Sequence, residues 1–278
     1  MRYFSFAGGK LPLGEKTYIM GLLNVTPDSF SDGNKWFRPD DAIRHAIEME
    51  ENGASIIDIG AFSTRPNAEY ISPDEEWKRL SEVLPNVIKQ VDVPVSVDTF
   101  VPEVAEKCLD AGAAIINDVS GIFNPDIARL VKSYGAGWIT MHGGVSLSRT
   151  ESEVEYKDGI LSSVQAFFDD ITALSAEFGI PTDKICLDPG FGFSKNAEQN
   201  TELLKKIGSL NTHSAALLCA LSRKRFVGAL ADEPNAERRD EATLACDIYA
   251  AMHGADIVRV HNVELHTKAL RALDGIIG

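Results

Sequence analysis

The residues able to do chemistry stand where short apolar runs stop. The sharpest case is Ile185-Cys186-Leu187-Asp188-Pro189-Gly190-Phe191-Gly192-Phe193. A run suited to a buried strand ends at a carboxylate, and a Pro and two Gly follow, so the backbone must turn. Asp188 is thereby aimed out of the mouth of a strand. A lone Asp-Pro-Gly reads as an ordinary turn, but the construction recurs along the chain. Asn24 closes the run 18–24, and Asp58 lies near the end of 55–60, with Ser63-Thr64-Arg65-Pro66 just beyond. Asp98 ends 94–98, Asn117 and Asp118 end 115–118, and Met141 and His142 end 137–142. Ser222-Arg223-Lys224-Arg225 ends 216–222, and Arg259 and His261 stand at the end of 257–260.

These residues are of two kinds. Asp98, Asn117 and Asp188 are rich in acceptors and suit a flat heterocycle offering N–H donors along one edge, since a carboxylate takes two adjacent donors side by side. Arg65, Lys224, Arg259 and His261 are cationic and suit phosphate. Arg259, between Val258 and Val260, cannot be buried without a counter-charge, so it must face an anion or a carboxylate at an open end. In a chain of net charge −14, positive charge gathered at the run ends points to an anionic ligand. Asn24 offers an oxygen to a hard cation such as Mg²⁺, which phosphate chemistry often needs. Read from the residues, the ligand is a nitrogen heterocycle carrying phosphate, with Mg²⁺ as the expected cofactor.

The acidic balance argues against nucleic-acid binding, which needs a basic footprint. No segment has the apolar length of a membrane span, and the start of the chain lacks a signal-peptide core. The four cysteines are scattered without metal-type pairing, so a reducing cytoplasm is the expected location.

Eight amphipathic stretches alternate with the apolar runs, at 40–51, 73–90, 102–111, 125–134, 154–178, 196–207, 239–253 and 263–276, and most end at a Gly. Ser72 and Pro73 form a cap and first position for the second. Strict strand–helix alternation implies a parallel sheet, and eight units in 278 residues imply a single-domain (β/α)₈ TIM barrel spanning 1–278. A doubly wound open sheet is the alternative, weakened by the lack of a dinucleotide or phosphate-loop signature. The long connections 25–39, 61–72, 143–153 and 223–238 all follow strands, which in a barrel puts them on one rim, the rim that carries active sites. Residues 1–17 are read as an N-terminal extension, a small hairpin at the barrel bottom.

Several stretches together resemble one family. Met20-Gly21-Leu22-Leu23-Asn24-Val25-Thr26-Pro27-Asp28-Ser29-Phe30-Ser31-Asp32-Gly33 is similar to the first signature of the dihydropteroate synthases. Asp58-Ile59-Gly60 with Ser63-Thr64-Arg65-Pro66 is similar to the second. Val95–Thr99, Ile116–Gly121, Asp188–Phe193, Leu221–Lys224 and Arg259–His261 follow in the family's order. The resemblance implies an enzyme that joins 4-aminobenzoate to 6-hydroxymethyl-7,8-dihydropterin pyrophosphate, giving 7,8-dihydropteroate and pyrophosphate in folate biosynthesis. It implies that Asp98, Asn117, Asp188 and Lys224 hold the pterin, with Met141 and Phe193 lining its slot and Arg259 packed on the ring. It assigns pyrophosphate and Mg²⁺ to Asn24, Arg65, Arg259 and His261, with Asn24 as metal ligand, and 4-aminobenzoate to Phe30, Thr64, Pro66, Lys224 and Arg225. A cytoplasmic homodimer and sulfonamide sensitivity or resistance are further family expectations.

Three positions depart from the family pattern. Arg225 stands where a small Ser is usual, Phe62 replaces an acidic residue, and the stretch after Met141-His142 is shortened to Gly143-Gly144. Arg225 either points to solvent or reshapes the aminobenzoate pocket. Two other functions share the pterin-holding acids: a non-catalytic pterin-binding homologue and a pterin-dependent methyltransferase. The loop signatures 24–33 and 63–66 favour the synthase.

Overall fold

A computed structural model describes residues 1–25, 39–61, 71–143 and 155–277. Eight parallel strands close into a barrel in the order β10-β3-β4-β5-β6-β7-β8-β9. They are β3 (Tyr18–Asn24), β4 (Ile56–Gly60), β5 (Val95–Asp98), β6 (Ile115–Asp118), β7 (Gly137–Met141), β8 (Ile185–Asp188), β9 (Ala216–Cys219) and β10 (Ile257–Val260). Helices α1 (Pro39–Glu51), α2 (Pro73–Gln90), α3 (Pro102–Asp110), α4 (Pro125–Tyr134), α5 (Ile160–Phe178), α6 (Ala197–Lys205), α7 (Arg225–Leu230), α8 (Asp240–Met252) and α9 (Val263–Ile277) lie between and after them. This is the (β/α)₈ architecture expected from the alternation.

The strands are apolar because both faces are covered. All five residues of β4 are buried, and Asp58 shares the barrel's inner face with Ile56 while Ile57 and Ile59 face the helices. Helices α2, α4 and α6 start where a side chain supplies a partner for their unsatisfied N–H groups. Ser72 Oγ accepts the Glu75 N–H ahead of α2, and Asn196 and Gln199 form a reciprocal box at the start of α6.

Residues 2–13 form an antiparallel hairpin of β1 (Arg2–Phe6) and β2 (Gly9–Leu13). Phe4 and Phe6 pack on Ala114, Ile115, Cys186, Ala216, Leu218 and Ile257 at the N-terminal end of the barrel. That end is filled with side chains, so the site must lie at the other.

Some boundaries differ from the sequence reading. Helix α5 starts at Ile160 rather than 154, because Gly159 takes φ +83° and residues 157–158 form a turn just before it. The strand 216–222 stops at Cys219, and the connection 223–238 contains the unforeseen six-residue helix α7. Phe30, Phe62, Thr64, Arg65, Pro66 and Gly144 lie outside the described residues.

Candidate active site

Parallel pairing sets the height of the rim groups. Gly60 is level with Asp98, and Asp98 with Asn117. On the far side, Met141 is level with Asp188. The last strand brings Arg259 beside Met20, one strand from Asp58.

Closure of the barrel puts Arg259 among carboxylates. Its Nε donates to Asp58 Oδ2 at 2.7 Å and its Nη2 to Asp98 Oδ2 at 3.1 Å. Asn117 Nδ2 donates to the same Asp58 oxygen at 3.0 Å. One buried carboxylate on β4 therefore orients both a guanidinium on β10 and an amide on β6. The amide's own oxygen, Asn117 Oδ1, has no partner among the described residues. It is left to accept from something in the barrel mouth. Asp98 is pushed up to about 7, because burial outweighs the opposing charge of Arg259, and Asp58 adds to the rise. Burial works against the charge on Arg259, but Asp58 and Asp98 prevail and hold it above its ordinary range.

Asp188 is the second acceptor centre. Its Oδ1 accepts the Gly190 N–H at 2.7 Å, the link that folds the chain back after β8. Burial raises its pKa, against Gly190, Lys224, Lys195 and Arg259. The turn permits only Gly at position 190. The residue has φ +70°, and a Cβ there would lie 1.9 Å from the His142 carbonyl oxygen. Phe193 ends the turn, and Lys224 Nζ sits 4.1 Å from the centre of its ring. The cation–π contact places the lysine beside an aromatic wall.

The basic run after β9 divides by direction. Arg223 turns to the start of α8, where it is clamped to Asp240 through Nε and Nη2, at 2.7 and 2.9 Å. Lys224 faces Phe193, and Arg225 is exposed at the first position of α7. Ser222 Oγ accepts the His261 N–H at 3.2 Å and meets His261 Nδ1 at 2.8 Å, which suits the tautomer with the proton on Nε2. Asn24 is half-buried at the end of β3.

The described residues thus bring Asp98, Asn117, Met141, Asp188, Phe193, Lys224 and Arg259 to one end of the barrel, with Asn24 and His261 at strand ends on the same rim. Sequence reasoning noted Asp58 but gave it no place in the site, and it overlooked Lys195 and Asn200. A carboxylate inside the run Ile56-Ile57-Asp58-Ile59 was the available signal for Asp58.

The sequence profile described as "Pterin binding enzyme" matches residues 20–261. A dihydropteroate synthase of Synechocystis sp. is 39% identical over 264 residues, covering 95% of this chain and 91% of its own. The chain belongs to the dihydropteroate synthases. The family likeness extends to three dimensions. A Clostridium difficile dihydropteroate synthase, solved in the presence of pteroic acid, superposes with a TM-score of 0.88 at 37% identity, over 96% of this chain and 99% of that one. A Yersinia pestis member of the family, solved as a sulfonamide drug complex, gives a TM-score of 0.90 at 35% identity, over 99% and 98% of the two chains.

Proposed function

We propose that the chain condenses 6-hydroxymethyl-7,8-dihydropterin diphosphate with 4-aminobenzoate, giving 7,8-dihydropteroate and pyrophosphate. The observation that carries this reading is the acceptor set of Asp98, Asn117 and Asp188 around one barrel mouth that Arg259 and Lys224 also enter. A dihydropterin presents ring N–H and amino donors to such acceptors, and the cations meet its diphosphate. Related enzymes solved with pteroic acid and with a sulfonamide support the two substrate classes.

In the reaction the bond between the pterin methylene and the diphosphate oxygen breaks, and a bond from the aniline nitrogen forms. The aniline proton passes to solvent. The electron-rich pterin spreads the positive charge that develops at the methylene, so the protein needs no strong base. Its task is to hold the ring, stabilise the leaving group and exclude water. Asp188, Asn117 and Asp98 hold the ring, Phe193 and Met141 line it, and Arg259 covers it. Asn24, His261 and Arg65 serve the diphosphate, and Lys224 stands between the two substrate positions. Phe30, Thr64, Pro66 and Arg225 are assigned to 4-aminobenzoate. The first three lie outside the described residues, and Arg225 is exposed.

Mg²⁺ belongs to the proposal. Among the described residues no group of three or more His, Cys, Asp or Glu converges to cage a metal. Asn24, half-buried at the end of β3, would offer Mg²⁺ a side-chain oxygen beside the diphosphate. Bound there, Mg²⁺ would neutralise charge on the departing pyrophosphate. A cytoplasmic homodimer completes the reading. Among the described residues no helix is long and apolar enough to cross a membrane.

The test is pyrophosphate release by purified protein with dihydropterin diphosphate, Mg²⁺ and 4-aminobenzoate. Turnover that requires both substrates is expected, and Asp188→Ala should abolish pterin binding. Tight pterin binding with no aminobenzoate-dependent product would leave a binding protein rather than a synthase.

A further inference from the structure

Lys195 follows the turn that carries Asp188 and Phe193, and it is fully buried. Its Nζ lies 2.8 Å from the Gly190 carbonyl oxygen, 3.1 Å from that of Phe193 and 3.4 Å from that of His142. A buried ammonium is costly unless its three hydrogens find acceptors, and here three carbonyls converge on it. Two belong to the turn after β8 and one to the turn after β7. Space for the ammonium depends on glycine: a Cβ at Gly143 or Gly190 would lie 3.1 or 3.2 Å from Nζ.

The lysine is itself fixed from behind. Asn200 on α6 donates from Nδ2 to the Lys195 carbonyl at 3.0 Å, and its Oδ1 accepts the Gly192 N–H at 2.8 Å. The next residue, Asn196, caps α6. A chain of fixed groups thus runs from a helix end, through an ammonium, to the two turns that bear His142, Asp188 and Phe193.

We propose that Lys195 is a positioning residue for the pterin pocket: its ammonium ties the turns after β7 and β8 together and so sets where Asp188 and Phe193 stand. This rests on the reading that the pocket takes a dihydropterin diphosphate. Lys195 does not touch that substrate; it acts through the carboxylate and the ring wall that do. A role confined to stability would move both substrates alike, whereas a positioning role weakens the pterin alone.

The test compares wild type with Lys195→Met, which keeps length and loses the donors, and Lys195→Gln, which keeps an N–H donor. Titration calorimetry with dihydropterin diphosphate and Mg²⁺ gives pterin affinity, and steady-state kinetics give both KM values. For Lys195→Met the pterin Kd and KM should rise at least tenfold while the KM for 4-aminobenzoate stays within twofold. Lys195→Gln should recover at least threefold of the lost affinity. A folded Lys195→Met protein with pterin affinity within twofold of wild type overturns the proposal, and so does an equal rise in both KM values. If Lys195→Met does not fold, Lys195→Gln decides: a threefold or greater loss confined to the pterin supports the proposal, and unchanged affinity defeats it. Wild-type protein that fails to bind the dihydropterin diphosphate would instead remove the reading of the pocket, and this inference with it.

Discussion

Arg259 Nε meets Asp58 Oδ2 at 2.7 Å, with one strand of the barrel lying between them. Asp58 is completely buried, so it acts through the groups it orients. Replacing it with Ala leaves the Arg259 charge with Asp98 and strips Asn117 of its acceptor. Removing one member of a buried ion pair costs roughly 3–5 kcal/mol. Because Asp98 remains, Asp58→Ala should lose about 3 kcal/mol in urea unfolding, near the low end of that range. Its kcat/KM for the dihydropterin diphosphate should fall at least tenfold. Wild-type kinetics in this variant would show that the orientation of Arg259 is not set by Asp58.

Gly190→Ala tests the turn after β8. The new methyl group meets the His142 carbonyl at a φ that L residues avoid. Backbone strain of this kind costs roughly 1–3 kcal/mol, and displacing that carbonyl also disturbs an acceptor of Lys195. Equilibrium denaturation should show a loss above about 2 kcal/mol. A variant as stable as wild type would mean that the turn relaxes without cost.

The pH dependence of stability should carry the mark of His142. Burial lowers its pKa to about 3, helped by the charge on Lys195, while Nε2 sits 3.0 Å from Ser163 Oγ. The folded value lies below the unfolded one, about 6.5. As pH falls from about 6.5 towards about 3, the unfolded chain takes up a proton that the folded protein refuses. The stability due to neutral His142 is therefore present above 6.5 and lost on acidification, by up to about 1.4 kcal/mol per pH unit. His142→Gln should flatten this part of the curve, measured by denaturation at a series of pH values. Parallel curves for the two proteins would count against a neutral buried imidazole.

Arg225 is exposed on the first turn of α7. Surface substitutions are usually worth less than roughly 0.5 kcal/mol, whereas Arg225→Ser, at a side chain assigned to the second substrate, should change the KM for 4-aminobenzoate at least about threefold and sulfonamide inhibition with it. A KM close to that of wild type would leave Arg225 an ordinary surface residue.

The barrel was legible because period and punctuation agreed: short apolar runs, amphipathic stretches and a glycine between them. The acceptors Asp98, Asn117 and Asp188 were legible for the same reason, each standing where a run stops. What escaped was anything set by closure or by a fold-back. Asp58 resembles an ordinary strand-end carboxylate until β10 closes against β3 and delivers Arg259 to it. Lys195 resembles a solvated lysine ahead of a helix, because its three acceptors are backbone carbonyls that composition cannot reveal. Helix α7 escaped because six residues are too few to establish a period. Arg223, within the same basic run as Lys224, was sorted from it only by the direction of the backbone.

The hairpin at the closed end also bears on how the chain acquires its structure. Arg2 holds Asp256 across 254 positions of sequence, with Nη2 to Oδ1 at 2.7 Å. The same Asp256 carboxylate accepts the Leu217 N–H at the start of β9, and its carbonyl accepts the Tyr18 N–H at the start of β3. Contacts so distant along the chain form late, because the loop between them must be ordered before they repay its entropy. The pairing of β10 with β3 that closes the barrel joins residues almost as far apart, so Asp256 ties the anchoring of the hairpin and the closing of the ring into one event.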